Sequence, residues 1–322
     1  MVRFGIVGTN FISEWFAQAC RDTNGRAEAV AVCSRDQARA SAFAQRIGAA
    51  DGFDDLDRMA DVVDAVYVAT PVSAHHGQAV QAIGAGRHVL VEKTMGASAA
   101  EVSDILAQAT QQGVVAMEAV RNVHTPTHRL IGDALARVGE VRHVRFEKLQ
   151  YSSRYDRFRA GEVLNAFDPS LGNSALADIG VYCLQPALDL LGAPARTCGA
   201  SVWLNNGFEA GGSLQLDYGR AVADVVYSKV AAGSSPSVIN GEDGWITLND
   251  PAETSRVTFT GRDGRSEVLL DAGAIEPGPT MVHEVCDFVD QVEAGETDVR
   301  WSDLSLLARR LMDEHLARGQ HR

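Results

Sequence analysis

The sequence predicts an α/β protein: an N-terminal doubly wound parallel sheet, then a C-terminal α+β domain built on an open-faced, mostly antiparallel sheet. Three observations carry this reading. Over the first 120 residues, short continuous apolar runs alternate with helix-length stretches, the signature of parallel strands covered on both faces. Beyond that point strand-like runs follow one another, separated by turn signals such as Asn205-Asn206-Gly207 and Asp263-Gly264, as in an antiparallel meander. The length of 322 residues fits two domains at about 150 residues each. The domains are drawn at 1–120 and 121–322, with room for the final helix to pack back on the first.

In the first domain, strands are expected at Arg3–Val7, Ala29–Cys33, Ala65–Ala69, His88–Val91 and Val114–Met117. Helices are expected between them at Ile12–Arg21, Gln37–Ile47, Ala74–Ala85 and Ser98–Gln111. In the second, Pro126–Arg137 reads as a helix and Val141–Gln150 as a long strand, while Tyr151–Pro169 is polar, aromatic and aperiodic. Ser174–Leu191 is helical, with Asn173 or Ser174 to cap it and Gly192 to stop it. Six strand-like runs follow, at Cys198–Leu204, Gly212–Tyr218, Ala221–Val230, Gly244–Leu248, Arg256–Thr260 and Ser266–Leu270. Two amphipathic helices close the chain, near Thr280–Ala294 and Ser302–Arg318.

Composition narrows the partners. With 29 basic and 42 acidic side chains the net charge is −13, which argues against a phosphate-backbone binder and so against nucleic acid. No stretch approaches about 18 uninterrupted apolar residues, so no membrane span is expected. The first strand begins at once, leaving no room for a signal peptide, and five scattered cysteines lack any metal-type spacing. Reduced thiols in a cytoplasm are the expectation. His75-His76 diverge by about 100° on a helix and cannot easily chelate together, so no metal is expected.

The first strand ends in Gly8-Thr9-Asn10-Phe11-Ile12-Ser13 and opens a helix. A dinucleotide fingerprint places glycines at the positions held here by Gly8, Asn10 and Ser13. Gly8 can make the tight turn, Asn10 tolerates left-handed dihedrals, and Ser13 is small enough for close helix–strand packing. A pyrophosphate would then sit on the helix N-terminus. The second strand ends in Ser34-Arg35-Asp36, without the acid expected at its tip in an NAD site. A hydroxyl and a guanidinium there suit a 2′-phosphate, with Arg35 also able to stack on adenine, which favours NADP over NAD. The bland alternative pairs Arg35 with Asp36 at a solvated helix start.

The third strand ends in Thr70-Pro71, followed by His75, and the fourth in Glu92-Lys93-Thr94. Both ends open on the crevice beyond the carboxyl edge of the sheet, so an amine and a helix start meet there. In the second domain Asp178 and Tyr182 are four apart and share one helical face, with Gly180 between them permitting close backbone approach.

At these residues the chain resembles the Gfo/Idh/MocA oxidoreductases. The resemblance rests on Gly8–Ile12, Thr70-Pro71 with His75, Ala85–Lys93, Glu118, Pro126, Gly139-Glu140-Val141 and Ala175–Tyr182, and so covers essentially the whole chain. The family usually has Glu-Lys-Pro, where this chain has Thr94, and a second loop glycine, where it has Asn10. Asp178–Tyr182 looks most like the subgroup with dimeric dihydrodiol dehydrogenase, NADP-dependent xylose dehydrogenase and glucose–fructose oxidoreductase. The resemblance implies a Rossmann domain holding NADP or NAD through Gly8, Thr9, Asn10, Phe11, Ile12, Ser34, Arg35, Thr70, Pro71, His75, Glu92, Lys93 and Glu118. It implies Tyr182 as acid/base assisted by Lys93. A phenol is a poor base at neutral pH, and a neighbouring ammonium stabilises the phenolate. Asp178 would bind a substrate hydroxyl or orient Lys93.

Arg121 and His124 would touch either cofactor or substrate, and Arg154, Tyr155 and Asn165 fall in the segment that lines the substrate pocket in the subgroup. The expected activity is hydride transfer between nicotinamide and a secondary alcohol or carbonyl of a sugar, polyol or cyclic diol. A homodimer or larger homo-oligomer through the C-terminal sheet is also implied. Two rivals stand beside it: glycoside cleavage with transient oxidation on bound NAD, and a non-catalytic cofactor-sensing regulator.

Overall fold

The computed structural model describes residues 1–274 and 278–319. The chain forms two compact units, Met1–Arg121 with Glu276–Leu306, and Asn122–Ile275 with Leu307–Arg322.

The first unit is built on six parallel strands, β1 (Val2–Val7), β2 (Ala27–Cys33), β3 (Asp51–Phe53), β4 (Ala65–Val68), β5 (His88–Glu92) and β6 (Ala116–Ala119). They lie in the order β3-β2-β1-β4-β5-β6, so the winding reverses between β1 and β4. Helices α1 (Phe11–Asp22), α2 (Gln37–Ile47), α3 (Leu56–Ala60), α4 (Val72–Gly84) and α5 (Ala99–Gln112) make the connections. Every residue of β4 is buried, as a strand covered on both faces requires. One apolar layer stacks Phe16 on Tyr67, with ring centroids 3.7 Å apart, and sets Phe4 edge-on to Phe16. The strand of Val114–Met117 lies two residues later than expected, at β6, which places Glu118 inside the sheet opposite Val91.

The first unit is completed from far along the chain. Helix α9, Met281–Ala294, lays Phe288 on Phe4 at 5.5 Å, and its Asp290 and Glu293 both pair with Arg26.

The second unit opens with α6 (Pro126–Val138) and β7 (Val141–Leu149), then α7 (Tyr155–Arg159) and α8 (Val181–Leu191). Strands β8 (Arg196–Trp203), β9 (Glu209–Asp217), β10 (Val222–Ser228), β11 (Ser237–Gly241), β12 (Gly244–Leu248), β13 (Arg256–Gly261) and β14 (Ser266–Asp271) follow. Helix α10, Val299–Gly319, ends the described chain. The eight strands run in the order β14-β13-β12-β11-β7-β10-β9-β8, and this corrects the expected meander. Strand β7 sits between the two hairpin series and pairs with β10 in parallel, from Val222 opposite His143 to Ser228 opposite Leu149.

On β7, Val144 and Phe146 are buried on the helix-covered face, while His143 and Arg145 alternate to the other. That other face carries a polar ladder in which Asp224 accepts from His143 at 2.9 Å and from Gln215 at 2.9 Å.

Candidate active site

The loop after β1 is shaped by two residues. Gly8 has φ +122°, and a Cβ there would stand 2.6 Å from Ala69 O, so only glycine fits. Asn10 departs from expectation: it is extended, with φ −106° and ψ −179°, and not left-handed. It is the N-cap of α1. Its Oδ1 accepts from the N–H groups of Ile12 at 3.0 Å and Ser13 at 3.2 Å, and its Nδ2 donates to Ala69 O at 2.8 Å. The backbone N–H groups of Thr9, Asn10 and Phe11 donate to nothing among the described residues and stand at the positive end of α1.

At the tip of β2, Asp36 caps α2 by accepting from Arg39 N–H at 2.7 Å. Arg35 is exposed and makes no hydrogen bond or ion pair among the described residues, while the Ser34 N–H donates to Phe53 O.

The loop that begins at Lys93 is held from two sides. His75 is buried with Nδ1 2.9 Å from Thr94 O and Nε2 2.7 Å from Thr70 O, and burial holds its pKa below the usual histidine value. Glu118, also buried, accepts from Met95 N–H at 2.8 Å. These two residues therefore fix the backbone on which Lys93 stands, and the Lys93–Thr94 peptide itself is cis. Glu92 accepts from the Tyr67 hydroxyl at 2.5 Å and from Lys93 N–H at 3.2 Å, and its burial raises its pKa against the opposing charges of Lys93 and Arg121. Thr70 Oγ1 donates to Gln78, and Pro71 begins α4 without a capping side chain.

In the second unit the expected helix is not uniform. Leu176–Gly180 form a π-turn that runs into α8, and such turns are frequent at functional sites. Asp178 lies in the π-turn, and Tyr182, 8% exposed, in the first turn of α8. Gly180 does allow a close approach, and what meets it is the unit's own core: a Cβ there would stand 2.8 Å from Leu176 Cδ1 and 2.9 Å from the ring of Tyr227 on β10.

Asp178 has a partner that sequence reasoning missed. Lys229, directly after β10 and 4% exposed, sets its Nζ 2.8 Å from Asp178 Oδ2. The same ammonium donates to Ala166 O at 2.9 Å and sits over the rings of Phe167 and Phe208. A lysine that directly follows an apolar strand is the signal that singled out Lys93, and it applied equally here. Asp178 is thus a carboxylate held by an ammonium, with one-third of its side chain open.

The aperiodic segment contains α7 and the short 3₁₀ turn Asn165–Phe167, and a second such turn begins at its last residue, Pro169. Its aromatics mostly pack on one another: Tyr155 lies against Tyr151, Phe158 and Phe167. Arg154 and Asn165 are exposed. Arg121 and His124 fall at the two ends of one 3₁₀ turn, His124 buried. Lys93 and Arg121 belong to the first unit, and Asp178, Tyr182, Arg154, Tyr155 and Asn165 to the second.

Beneath the π-turn, Glu209 of β9 is 2% exposed and accepts from Leu176 N–H at 2.9 Å. Burial, opposed by that hydrogen bond, raises its pKa to about 7. The folded protein therefore holds a proton that the unfolded chain releases at lower pH. This stabilisation is complete below about pH 4.5 and is lost as pH rises toward 7, by roughly 3 kcal/mol. Denaturant unfolding between pH 5 and 8 is expected to show that slope, and Glu209→Gln to flatten it.

Comparison with known proteins gives this geometry its family. A model described as an oxidoreductase family with an NAD-binding Rossmann fold matches residues 2–120, and the GFO/IDH/MocA C-terminal domain matches residues 134–247. The chain belongs to the GFO/IDH/MocA oxidoreductase family. It is 37% identical over 318 residues to scyllo-inositol 2-dehydrogenase (NADP(+)) IolU of Bacillus subtilis, covering 98% of this chain and 96% of that one. It is 29% identical to D-xylose 1-dehydrogenase (NADP(+)) 2 of Haloferax volcanii, covering 84% and 83%. The fold is shared with KijD10, a 3-ketoreductase from Actinomadura kijaniata solved with NADP and TDP-benzene, at TM-score 0.85, 24% identity and coverage of 98% and 97%.

The family's dinucleotide fits the loop found here. Gly8, where a Cβ would meet Ala69 O, the three N–H groups that donate to nothing among the described residues and the start of α1 are the donor set that a diphosphate requires. Among the described residues no helix is long and apolar enough to cross a membrane, and no group of three or more His, Cys, Asp or Glu side chains could hold a metal ion.

Proposed function

We propose that this oxidoreductase interconverts a secondary alcohol and a ketone on a cyclic polyol, sugar or diol, with NADP preferred over NAD. The observation that carries it is Asp178, a carboxylate that a buried lysine anchors in the π-turn directly before Tyr182 at the start of α8. The substrate class is supported by the inositol and xylose dehydrogenases to which the chain is similar.

Bound nicotinamide supplies the hydride acceptor or donor. The rest falls to this chain's residues. Tyr182 Oη takes the proton of the substrate hydroxyl in oxidation and returns it to the carbonyl oxygen in reduction. Lys93, on the loop fixed by His75 and Glu118, stabilises the phenolate and holds the reacting oxygen. Asp178, anchored by Lys229 and one-third exposed, accepts a hydrogen bond from a neighbouring substrate hydroxyl. Thr9, Asn10 and Phe11 hold the diphosphate by backbone N–H, and Thr70, Pro71 and the start of α4 line the same edge. Arg121, Arg154, Tyr155 and Asn165 complete the substrate side.

A panel of inositols, aldoses and trans-dihydrodiols, assayed separately with NADP and NAD, tests the reading. Net formation of one reduced nicotinamide per product supports it; turnover without net reduction contradicts it. Arg35, exposed and uncommitted, is assigned to the 2′-phosphate. A charged hydrogen bond contributes about 1.5–3 kcal/mol, so Arg35→Ala is expected to lower kcat/KM with NADP by about tenfold to a hundredfold. The NAD value should stay within about threefold, and equal losses would refute the assignment. The polar ladder of the second unit's sheet is assigned to contact between copies of the chain. A monomeric scattering mass at micromolar concentration would remove that assignment.

A further inference from the structure

Helix α8 contains Pro186. A proline has no N–H, so the carbonyl four residues earlier loses its helical partner, and that carbonyl belongs to Tyr182. The residue is buried, so water cannot readily take the place of the missing donor.

The donor comes from outside the helix. Asn122, 6% exposed, donates from Nδ2 to Tyr182 O at 3.0 Å and to Pro251 O at 2.8 Å. Both partners are carbonyls, which only the NH₂ end of the amide can serve, so the orientation of the side chain is fixed. The backbone of Asn122 is itself held, because Thr125 Oγ1 donates to the Asn122 main-chain carbonyl at 3.0 Å while Thr125 caps α6. The first turn of α8 is therefore tied through one amide to the segment after β12.

We propose that Asn122 is a positioning residue for Tyr182: the proline at 186 opens a backbone acceptor at the reacting residue, and Asn122 fills it, fixing where the phenol stands. This rests on the reading of Tyr182 as the acid/base. A hydrogen bond supplied along the helix would leave the turn free to move with α8. One supplied across the unit sets the Tyr182 backbone against a fixed point instead.

The device has a built-in test, because Pro186→Ala gives the helix back its own N–H four residues after Tyr182. Four proteins are compared by steady-state kinetics with the best substrate of the panel: wild type, N122A, P186A and N122A/P186A. NADPH fluorescence counts the folded sites in each. N122A is expected to lower kcat by about tenfold to a hundredfold with KM changed by less than about threefold. The double variant is expected to recover kcat to within about threefold of P186A.

A folded N122A with wild-type kcat would overturn the proposal. So would a double variant no faster than N122A, or, if N122A does not fold, one far slower than P186A. A loss of folded sites at unchanged kcat per site would mean that Asn122 serves stability alone, and would also overturn it. Tyr182→Phe, measured alongside, keeps the two readings apart. A fully active Y182F overturns the acid/base role. An inactive Y182F beside a fully active N122A overturns only the positioning.

Discussion

Replacing Tyr182 by phenylalanine is expected to lower kcat by about a thousandfold, since positioned general acid–base groups contribute about 10² to 10⁴ in rate. The change removes one hydroxyl from a side chain that is already 8% exposed, so the packing of α8 is retained and the loss falls on proton transfer. Lys93→Met is expected to lower kcat by a similar factor and to raise KM as well, because the ammonium is assigned both to the phenolate and to the substrate oxygen. The double variant should lose little more than either single change, as groups that act together are not additive. Nicotinamide binding by fluorescence should survive in Y182F. Full turnover in both single variants would refute the mechanism.

Gly8→Ala is expected to be the most damaging single methyl in the first unit. The backbone there is at φ +122°, which a side-chain-bearing residue adopts only with strain of about 1–3 kcal/mol. The added Cβ would also press on Ala69 O, the acceptor of the Asn10 amide, and so disturb the cap of α1. Loss of a cap costs about 1 kcal/mol more. Thermal unfolding should fall by roughly 10 °C, and dinucleotide affinity should fall with it, because the same loop presents the free N–H groups. An unchanged Tm would show that Ala69 can withdraw and that the turn tolerates a Cβ.

Much of this was legible in the sequence because local pattern and fold agree. The buried parallel strands read as apolar runs, and β5 ends at Glu92 with Lys93 directly after it. Strand β3 and helix α3 were not legible, since three and five residues are too short to show a period. Strand β11 offers only Val238 and Ile239 as apolar residues, directly after a Gly-Ser-Ser-Pro stretch that reads as loop. The parallel β7–β10 pair joins segments distant in the chain, and no local signal marks such a register.

Asn10 was legible and misread. An asparagine just before an apolar-periodic helix is a cap signal, and that outweighed its tolerance of left-handed backbone. Lys229 and Asn122 were out of reach as partners. Their chemistry lies in which carboxylate or carbonyl the folded chain brings to them, and in Pro186 only half of that arrangement is written.

The return of α9 to the first unit bears on how this enzyme can be cut and recombined. A fragment ending near residue 120 would carry a Rossmann sheet whose Phe4 has lost the ring of Phe288 and whose Arg26 has lost both carboxylates. Such a fragment is short of part of its own core, and would be sticky and poorly soluble. A chimera meant to exchange cofactor preference between family members must therefore carry two separate stretches of donor sequence, the first 121 residues and the segment from 276 to 306.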